Sequence, residues 1–447
     1  MQPHFLPFVD QGMYLAHSVG GQQAVVQGLW LYRRPVDLEG LLRFRDSLAH
    51  GRLARLIRPA LLPFGRHQWI TAPPPLTPLL TEVEPIAPGA VMAWADAQLR
   101  LPMDPVNGPA WTFTIQPLND GSTVVSLVIS HCVADGMAMR NAIIEAARGE
   151  QCKLPYPCLS AKSPVLADEI LRAAKDTPAA LRALVQLGRI ACASSVRTRT
   201  KAATPIPTAY KDREVIFPTC FLRIPLSEWD KRSRDLGVIR FTLLIAVTAA
   251  FARALGRVHD GHVSVRIPVN QREGLSDIGA NRVSIANLRI PVEEQRENLS
   301  EIQRGWKVAL LRTRREPDPI AALLPLVPYL PKRLFSAAGN LALSALEDLP
   351  VTCSYLGPLE LLMIDGTESD IFCCRGVDRP VSVRMIEARQ GVATLHAADV
   401  AGYLNLTFTA YQPDVVTEHR HLRILVENLL AAYRLKGEFL LSDTEDA

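Results

Sequence analysis

A histidine and an aspartate lie four residues apart, just after a run of β-branched residues that predicts a strand buried on both faces. The run is Thr123–Ile129 (TVVSLVI), and Ser130, His131 and Asp135-Gly136 follow it. A turn at the end of a strand holds a side chain rigidly. The ordinary pKa of histidine is about 6.5, so its neutral ring can take a proton from an attacking hydroxyl or amine near pH 7. The spacing therefore predicts that His131 is a general base.

Asp135 has a different predicted role, because it need not touch the imidazole. An arginine can pair with it and hold the tight turn, whereas Gly136 is expected to adopt backbone conformations that other residues avoid. The structural alternative is that His131 is an ordinary packed histidine. A metal site made of His131, Cys132 and Asp135 is disfavoured, because no other ligand cluster supports it and Cys132 alternates away from His131 on an extended segment.

The composition is that of a folded globular protein. The 447 residues are 48% hydrophobic and 21% charged, which excludes disordered and collagen-like chains and leaves room for a sizeable core. The net charge of +4 is too small for a dedicated nucleic-acid binder. Eight cysteines without CxxC spacing predict neither a metal site nor a disulfide framework, so we expect a reducing, cytoplasmic location.

Two features bear on membranes. The longest apolar run, from Phe241 to Phe251, is far shorter than the roughly 20 residues that span a bilayer. The first residues lack the basic region of a secretory signal. Any membrane contact is therefore expected to be peripheral, without a transmembrane segment.

Strand and helix patterns alternate in both halves of the chain, without a glycine-rich phosphate loop or an internal repeat. A basic, proline-containing stretch, Val196–Arg213, has neither period and is the predicted linker. We therefore predict an α/β protein with one lobe at residues 1–195 and a second at 214–447.

Three local predictions depend on prolines and branched residues. Pro178 is expected to divide the apolar pattern of residues 165–195 into two helices. A further helix is expected within Ala321–Leu346, and the pattern of Val381–Ala388 predicts a strand.

The segment SHCVADG at 130–136 resembles the HHxxxDG signature of a superfamily of thioester-dependent acyltransferases. That superfamily contains chloramphenicol acetyltransferase, peptide-synthetase condensation domains, plant acyltransferases and wax ester synthases. Other segments resemble the wax ester synthase and lipid- or polyketide-associated branch, in order along the chain: Asp10–Arg52, Pro109–Trp111, Val265–Asn270 with Arg272, and Asn281–Val283. Ser354–Pro358 resembles the segment that condensation domains place on the crossover between lobes.

The chain departs from the family pattern at two places. Ser130 stands where the signature has its first histidine, and the second histidine, His131, is retained. Leu244-Ile245 stands where wax ester synthases carry an Asn-Asp pair. The first departure leaves the base in place, and the second argues against a strict wax ester synthase assignment.

The resemblance implies two chloramphenicol acetyltransferase-like lobes, each a mixed sheet flanked by helices, with an active-site tunnel between them. It implies an O-acyltransferase that moves an acyl group from a coenzyme A or carrier-protein thioester to a hydroxyl acceptor, such as a lipid, a polyketide or another secondary metabolite. No tightly bound cofactor is expected. The alternatives are a freestanding condensation enzyme that makes an amide from carrier-bound substrates, and a catalytically silent carrier-binding scaffold.

The resemblance also suggests roles for other residues. Arg272, in preference to Arg266, is the expected partner of Asp135. Ser354, Tyr355 and the amides near Gly136 are candidate oxyanion donors, with packing as the alternative. Ser130 is either a strand-end hydroxyl satisfied by the backbone or a polar neighbour that tunes His131. Two basic groups could meet the phosphates of the donor or simply form a solvated surface: Arg197, Arg199 and Lys201, and Arg312, Arg314 and Arg315.

Overall fold

The computed structural model describes residues 4–20, 23–71, 79–81, 84–158, 166–194, 213–292, 298–315, 321–330, 348–359 and 363–441. Its α-helices are α1 (Phe8–Gly20), α2 (Leu38–His50), α3 (Val91–Gln98), α4 (Gly136–Ala147), α5 (Leu166–Ser194), α6 (Leu226–Asp235), α7 (Arg240–Ala254), α8 (Ser300–Arg315), α9 (Val383–Ala388) and α10 (His419–Ala432).

The strands belong to three sheets. In chain order they are β1 (Gln23–Tyr32), β2 (Arg55–Arg58), β3 (Gln68–Thr71), β4 (Leu79–Thr81), β5 (Trp111–Pro117), β6 (Thr123–Ser130), β7 (Thr219–Pro225), β8 (His262–Asn270), β9 (Val283–Pro291), β10 (Val351–Pro358), β11 (Ile371–Arg379), β12 (Val392–Val400), β13 (Tyr403–Tyr411) and β14 (Glu438–Leu440). β2 and β3 form a separate ribbon.

The first large sheet has the strand order β11-β1-β6-β5-β4. Its central strand β6 is buried at every residue, as its β-branched sequence predicts for a strand covered on both faces. β5 and β6 pair antiparallel across the turn that contains Gly121, which has a positive φ of 83°. The core of this lobe includes Trp30, Trp111 and Phe113.

The second large sheet has the strand order β14-β7-β13-β12-β10-β8-β9. Helix α7 is buried over most of its length, because it lies between this sheet and other helices and is apolar on nearly all sides. Residues of β12 alternate between two cores. Ala393, Leu395 and Ala397 pack in the core of the second lobe, whereas Ala398 and Val400 pack in the core of the first.

One strand joins the two lobes. β11 comes late in the chain, yet it pairs antiparallel with β1, with Gly376 opposite Val26. The sequence pattern does not indicate this strand, because an arginine that is buried in the fold interrupts the apolar run of β11. Arg375 is fully buried, pairs with Asp96 at 2.7 Å and donates to Gln27. The sheets therefore do not follow a simple division of the chain at residues 196–213.

Two local predictions are wrong. Residues 166–194 form one helix, α5, with Pro178 inside it, since a proline removes one amide donor and an exposed helix can let water meet the freed carbonyl. Val381–Ala388 is not a strand, because Ser382 caps α9 by accepting from the Met385 amide.

Two other predictions are only partly covered by the described residues. Ala321–Tyr329 forms a 3-10 helix containing Pro325 and Pro328, and residues 331–347 lie outside the described part of the chain, as does the predicted linker up to residue 212. Among the described helices, none alone is long and apolar enough to cross a membrane. The bent pair α6 and α7, at 88° to one another, passes that test together by length and composition.

Candidate active site

The backbone around His131 is held at the exit of β6. The His131 amide donates to the Ala24 carbonyl of the neighbouring strand at 2.8 Å, and the Val133 amide donates to the Ser130 carbonyl at 2.9 Å. Helix α4 begins at Gly136, five residues after the histidine. The imidazole is therefore attached to a short, hydrogen-bonded turn between a buried strand and a helix, which leaves it little conformational freedom.

The two ring nitrogens of His131 have different surroundings. The side chain is partly exposed, but Nδ1 is buried and has no hydrogen-bond partner among the described residues. Because Nδ1 is enclosed, Nε2 is the nitrogen left to meet a reactant. This arrangement suits a general base that works through Nε2.

Asp135 links the two lobes through its carboxylate. Its Oδ1 accepts from the Ala138 amide at 2.7 Å as the N-cap of α4, and pairs with Nη2 of Arg272 at 2.9 Å. Its Oδ2 accepts from the Arg282 amide at 3.0 Å. The structure thus places Arg272, and not Arg266, against Asp135.

Arg272 is itself enclosed by polar groups. Its side chain is 1% exposed, and Nη2 also donates to the carbonyls of Gly279 and Ala280 at 2.8 and 3.0 Å. The Asp135 amide returns a hydrogen bond to the Ala280 carbonyl at 3.0 Å. The motif turn and the loop before β9 are therefore joined by a closed set of contacts.

Gly136 lies in a different backbone conformation from the predicted one. It is the first residue of α4, and it is not among the residues with positive φ. A methyl group on Gly136 would lie 3.0 Å from Cδ2 of Leu356. The glycine is therefore explained by the close approach of β10 to the helix, and the expectation of an unusual backbone conformation is wrong.

Two buried polar residues that the sequence analysis did not assign to the site lie behind His131. Nδ2 of Asn281 donates to the His131 carbonyl at 3.0 Å and to Oδ1 of Asp10 at 2.8 Å. Burial is the main cause that raises the pKa of Asp10 from 3.8 to about 7, and the hydrogen bond from Asn281 opposes it. Asp10 and Asn281 fall in segments that carried the family resemblance, but nothing in their spacing connects them.

The raised pKa of Asp10 predicts a pH-dependent stability. The folded state binds this proton more tightly than the unfolded chain does. The resulting contribution to the free energy of unfolding is fully present below about pH 4 and is lost as the pH rises to about 7. It amounts to on the order of 1.4 kcal/mol for each unit of pKa shift. We expect Asp10→Asn to unfold at a higher temperature than the wild type at pH 8 and at a similar one at pH 4. Thermal unfolding across this range checks it, with exposed Asp46→Asn as the control. Parallel melting curves for Asp10→Asn and the wild type would contradict the assignment.

The three predicted hydroxyls have separate positions. Oγ of Ser130 accepts from the Cys132 amide at 3.3 Å, so it helps to form the turn. The Tyr355 hydroxyl donates to Oδ2 of Asp399 at 2.7 Å, and Arg240 binds the same oxygen at 2.8 Å. Ser354 is the neighbour of Tyr355 on β10, so its side chain lies on the opposite face of the sheet. Tyr355 belongs to an ion-pair cluster of the second lobe, and Ser354 remains a candidate oxyanion donor.

A second histidine lies near His131. His396 is on β12, in register with Ser354 of β10, and a positive charge on His131 contributes to lowering its pKa. It shares a face of β12 with Ala398, which packs in the first-lobe core. Sequence reasoning missed His396, because 265 residues separate it from His131 and its strand pattern only indicates an alternating, half-buried strand.

The predicted basic groups are described only in part. Arg197, Arg199 and Lys201 lie outside the described residues, and Arg312, Arg314 and Arg315 are on the last turn of α8. Among the residues that the structure describes, no group of three or more His, Cys, Asp or Glu could hold a metal ion.

The chain is similar to known proteins in its three-dimensional structure. No family model and no curated protein matches the chain. Solved structures match over nearly the whole length. The first condensation domain of the CDA synthetase has a TM-score of 0.59 at 15% identity, over 98% of this chain and 99% of that chain.

Two further solved structures are similar. The wax ester synthase/diacylglycerol acyltransferase from Marinobacter aquaeolei VT8 has a TM-score of 0.56 at 16% identity, over 97% of this chain and 99% of that chain. A mutant of the starter condensation domain of rhizomide synthetase RzmA, in complex with C8-CoA, has a TM-score of 0.56 at 14% identity, over 100% of this chain and 98% of that chain. The protein therefore has the two-lobed α/β fold that these condensation domains and this wax ester synthase share.

Proposed function

We propose that the protein is a thioester-dependent O-acyltransferase in which His131 is the general base. The observation that carries the proposal is the partly exposed imidazole whose Nδ1 is buried and whose backbone is tied to β1. A base needs one accessible nitrogen and a fixed orientation. The contacts around Asp135 supply the fixed turn, and they join the motif to the opposite lobe.

The reaction requires no covalent intermediate on the protein. Nε2 of His131 takes the proton of an acceptor hydroxyl as its oxygen attacks the thioester carbonyl carbon, and a new C–O bond forms. The C–S bond of the resulting tetrahedral intermediate then breaks, and the departing sulfur takes the proton back from Nε2. The products are an ester and a free thiol, so atoms and protons balance.

The oxyanion of the intermediate needs hydrogen-bond donors. The first amides of a helix have no intrahelical partners, and in α4 the Ala138 amide is already bound to Asp135. The Gly136 and Met137 amides and the Ser354 hydroxyl are therefore our candidates. Tyr355 is not, because its hydroxyl proton is donated to Asp399.

The proposed donor is the thioester of coenzyme A or of a phosphopantetheine carrier, and the proposed acceptor is a hydroxyl of a lipid, a polyketide or another secondary metabolite. The fold likeness to a condensation domain bound to C8-CoA supports the donor class, and the likeness to a wax ester synthase supports the ester product. A cytoplasmic location and a tunnel between the lobes are part of the same proposal.

Release of thiol in a matched set of reactions tests the proposal. We expect purified protein to release free thiol from C8-CoA or from an octanoyl-loaded carrier protein when medium-chain alcohols are present, with the ester detected by mass spectrometry. Thiol release and amide formation with amines only would support condensation chemistry instead. If neither donor reacts with any acceptor while the loaded carrier still binds, the protein is a carrier-binding scaffold and the proposed transfer is wrong.

A further inference from the structure

His396 is placed where the two lobes meet. A methyl group built on Gly376 would lie 3.4 Å from Nε2 of His396 and 3.9 Å from the Val25 carbonyl oxygen. Gly376 pairs with Val26 on β1, and Val25 pairs with Ser130 on β6. The imidazole of His396 therefore reaches from β12 of the second sheet across β11 toward the end of β6, where His131 begins the motif turn.

Each of the two histidines has a ring nitrogen that lacks a hydrogen-bond partner within the described part of the chain, and the two nitrogens can complement one another as donor and acceptor. Nδ1 of His131 and Nδ1 of His396 are both buried, and neither has a hydrogen-bond partner among the described residues. A neutral imidazole carries one donor nitrogen and one acceptor nitrogen. Buried polar atoms are rarely left unsatisfied in folded proteins, and one water molecule between the two rings would satisfy both nitrogens.

We propose that His396 is a positioning residue for His131, and that it accepts a hydrogen bond from the Nδ1–H of His131 through one water molecule. The inference rests on the proposed role of His131 as base. The hydrogen bond keeps the proton on Nδ1, which leaves the lone pair of Nε2 free for the acceptor hydroxyl.

The surroundings of His396 suit this role. Although the side chain keeps some exposed surface, the protein atoms packed around it, and secondarily the charge of His131, lower the pKa of His396 to about 4. His396 therefore stays neutral near pH 7 and can act as an acceptor. It also has little tendency to take the proton that His131 carries during transfer.

Ser130 makes this arrangement informative. The signature that SHCVADG resembles has two adjacent histidines, and here the first position is a serine whose Oγ accepts from the Cys132 amide. The second imidazole near the base comes from β12 of the opposite lobe. The orientation of His131 would then depend on how the two lobes are docked, as well as on its own turn.

An isosteric pair of variants tests the hydrogen bond. Asn and Leu have nearly the same shape, but only Asn keeps a polar atom near the position of Nδ1. We expect His396→Leu to lower kcat about 10- to 100-fold with KM changed less than about twofold, and His396→Asn to recover most of the loss. Thr394→Val, on the same face of β12, is the control for packing and is expected to keep the wild-type kcat.

Nuclear magnetic resonance of the ring nitrogens gives a readout that does not need turnover. The His131 signals, identified by their loss in His131→Asn, are expected to show the Nδ1–H form in the wild type and in His396→Asn, and a mixture of tautomers in His396→Leu. An unchanged His131 spectrum in His396→Leu would overturn the inference, as would equal damage by Leu and Asn. If the wild type transfers no acyl group but the tautomer still depends on His396, the proposed function fails and the hydrogen bond stands.

Discussion

His131→Ala is expected to lower kcat for acyl transfer by about 10²- to 10⁴-fold, the usual contribution of a positioned general base. Nε2 is the proposed proton acceptor, and the neighbouring His396 cannot replace it, since its Nδ1 is buried and its low pKa makes it a weak base. Thiol release from C8-CoA or a loaded carrier, followed at saturating acceptor, measures the effect.

The same variant is expected to remain folded. The hydrogen bonds that hold residue 131 are made by its backbone, through the amide to Ala24 and through the carbonyl to Asn281, so they survive the loss of the ring. His50→Ala is a suitable control, because His50 is exposed at the end of α2, and it should turn over like the wild type. Full activity of His131→Ala would remove His131 as the base.

Much of the fold could be predicted from sequence where patterning was strong. β6 begins at the predicted Thr123 and ends one residue after the predicted Ile129, and the turn predicted after it leads directly into α4. These elements combine a long apolar pattern with clear boundaries, an Asn-Asp-Gly turn before β6 and an Asp N-cap before α4. Local signals and tertiary packing agree there.

The failures at β11 and α9 have different physical causes, because a tertiary contact outweighs the local pattern in the first and a local cap outweighs it in the second. Arg375 would expose most of its length on an isolated strand, but in β11 it is buried against Asp96 and Gln27. Residues 381–388 are rich in branched residues, yet the Ser382 cap decides for helix. The partners of Arg375 cannot be identified from their spacing along the chain, whereas the cap is local and its strand-like pattern concealed it.

The residues of the candidate site also fall into two groups, those that the sequence indicates and those that only the fold brings together. Strand exit, turn and spacing single out His131 and Asp135, and the resemblance suggests Arg272 as the partner of Asp135. That pairing is present at 2.9 Å, whereas the role of His131 as base stays a prediction. Asp10 and His396 could not be selected from sequence, because only the folded chain brings them behind and beside residue 131. The sequence indicated Gly136 for its backbone freedom, but in the structure the nearby Leu356 side chain, and not an unusual φ, limits the space at this position.

Asp135→Ala is expected to lower the free energy of unfolding by about 3–5 kcal/mol, because it leaves a buried arginine without its carboxylate. The side chains of Asp135 and Arg272 are 8% and 1% exposed, so water cannot readily replace the lost partner. The variant also loses the N-cap of α4. The cap contributes about 1 kcal/mol, which is included in the total loss given above. Urea unfolding followed by circular dichroism measures the loss. If Asp135→Ala were as stable as the wild type, the structural role assigned to Asp135 would be wrong.

A double-mutant cycle separates the ion pair from the cap. Asp135→Asn keeps an oxygen that can accept from the Ala138 amide, so the cap is retained, and its loss combines that of the pair with Arg272 and that of the bond from the Arg282 amide. Arg272→Met removes the buried charge and its bonds to Gly279 and Ala280. If the pair dominates, the double variant is expected to lose less stability than the sum of the single variants, since neither partner is then left as an unpaired buried charge. Additive losses would mean that capping and loop contacts hold the turn, and that the carboxylate and guanidinium contribute independently.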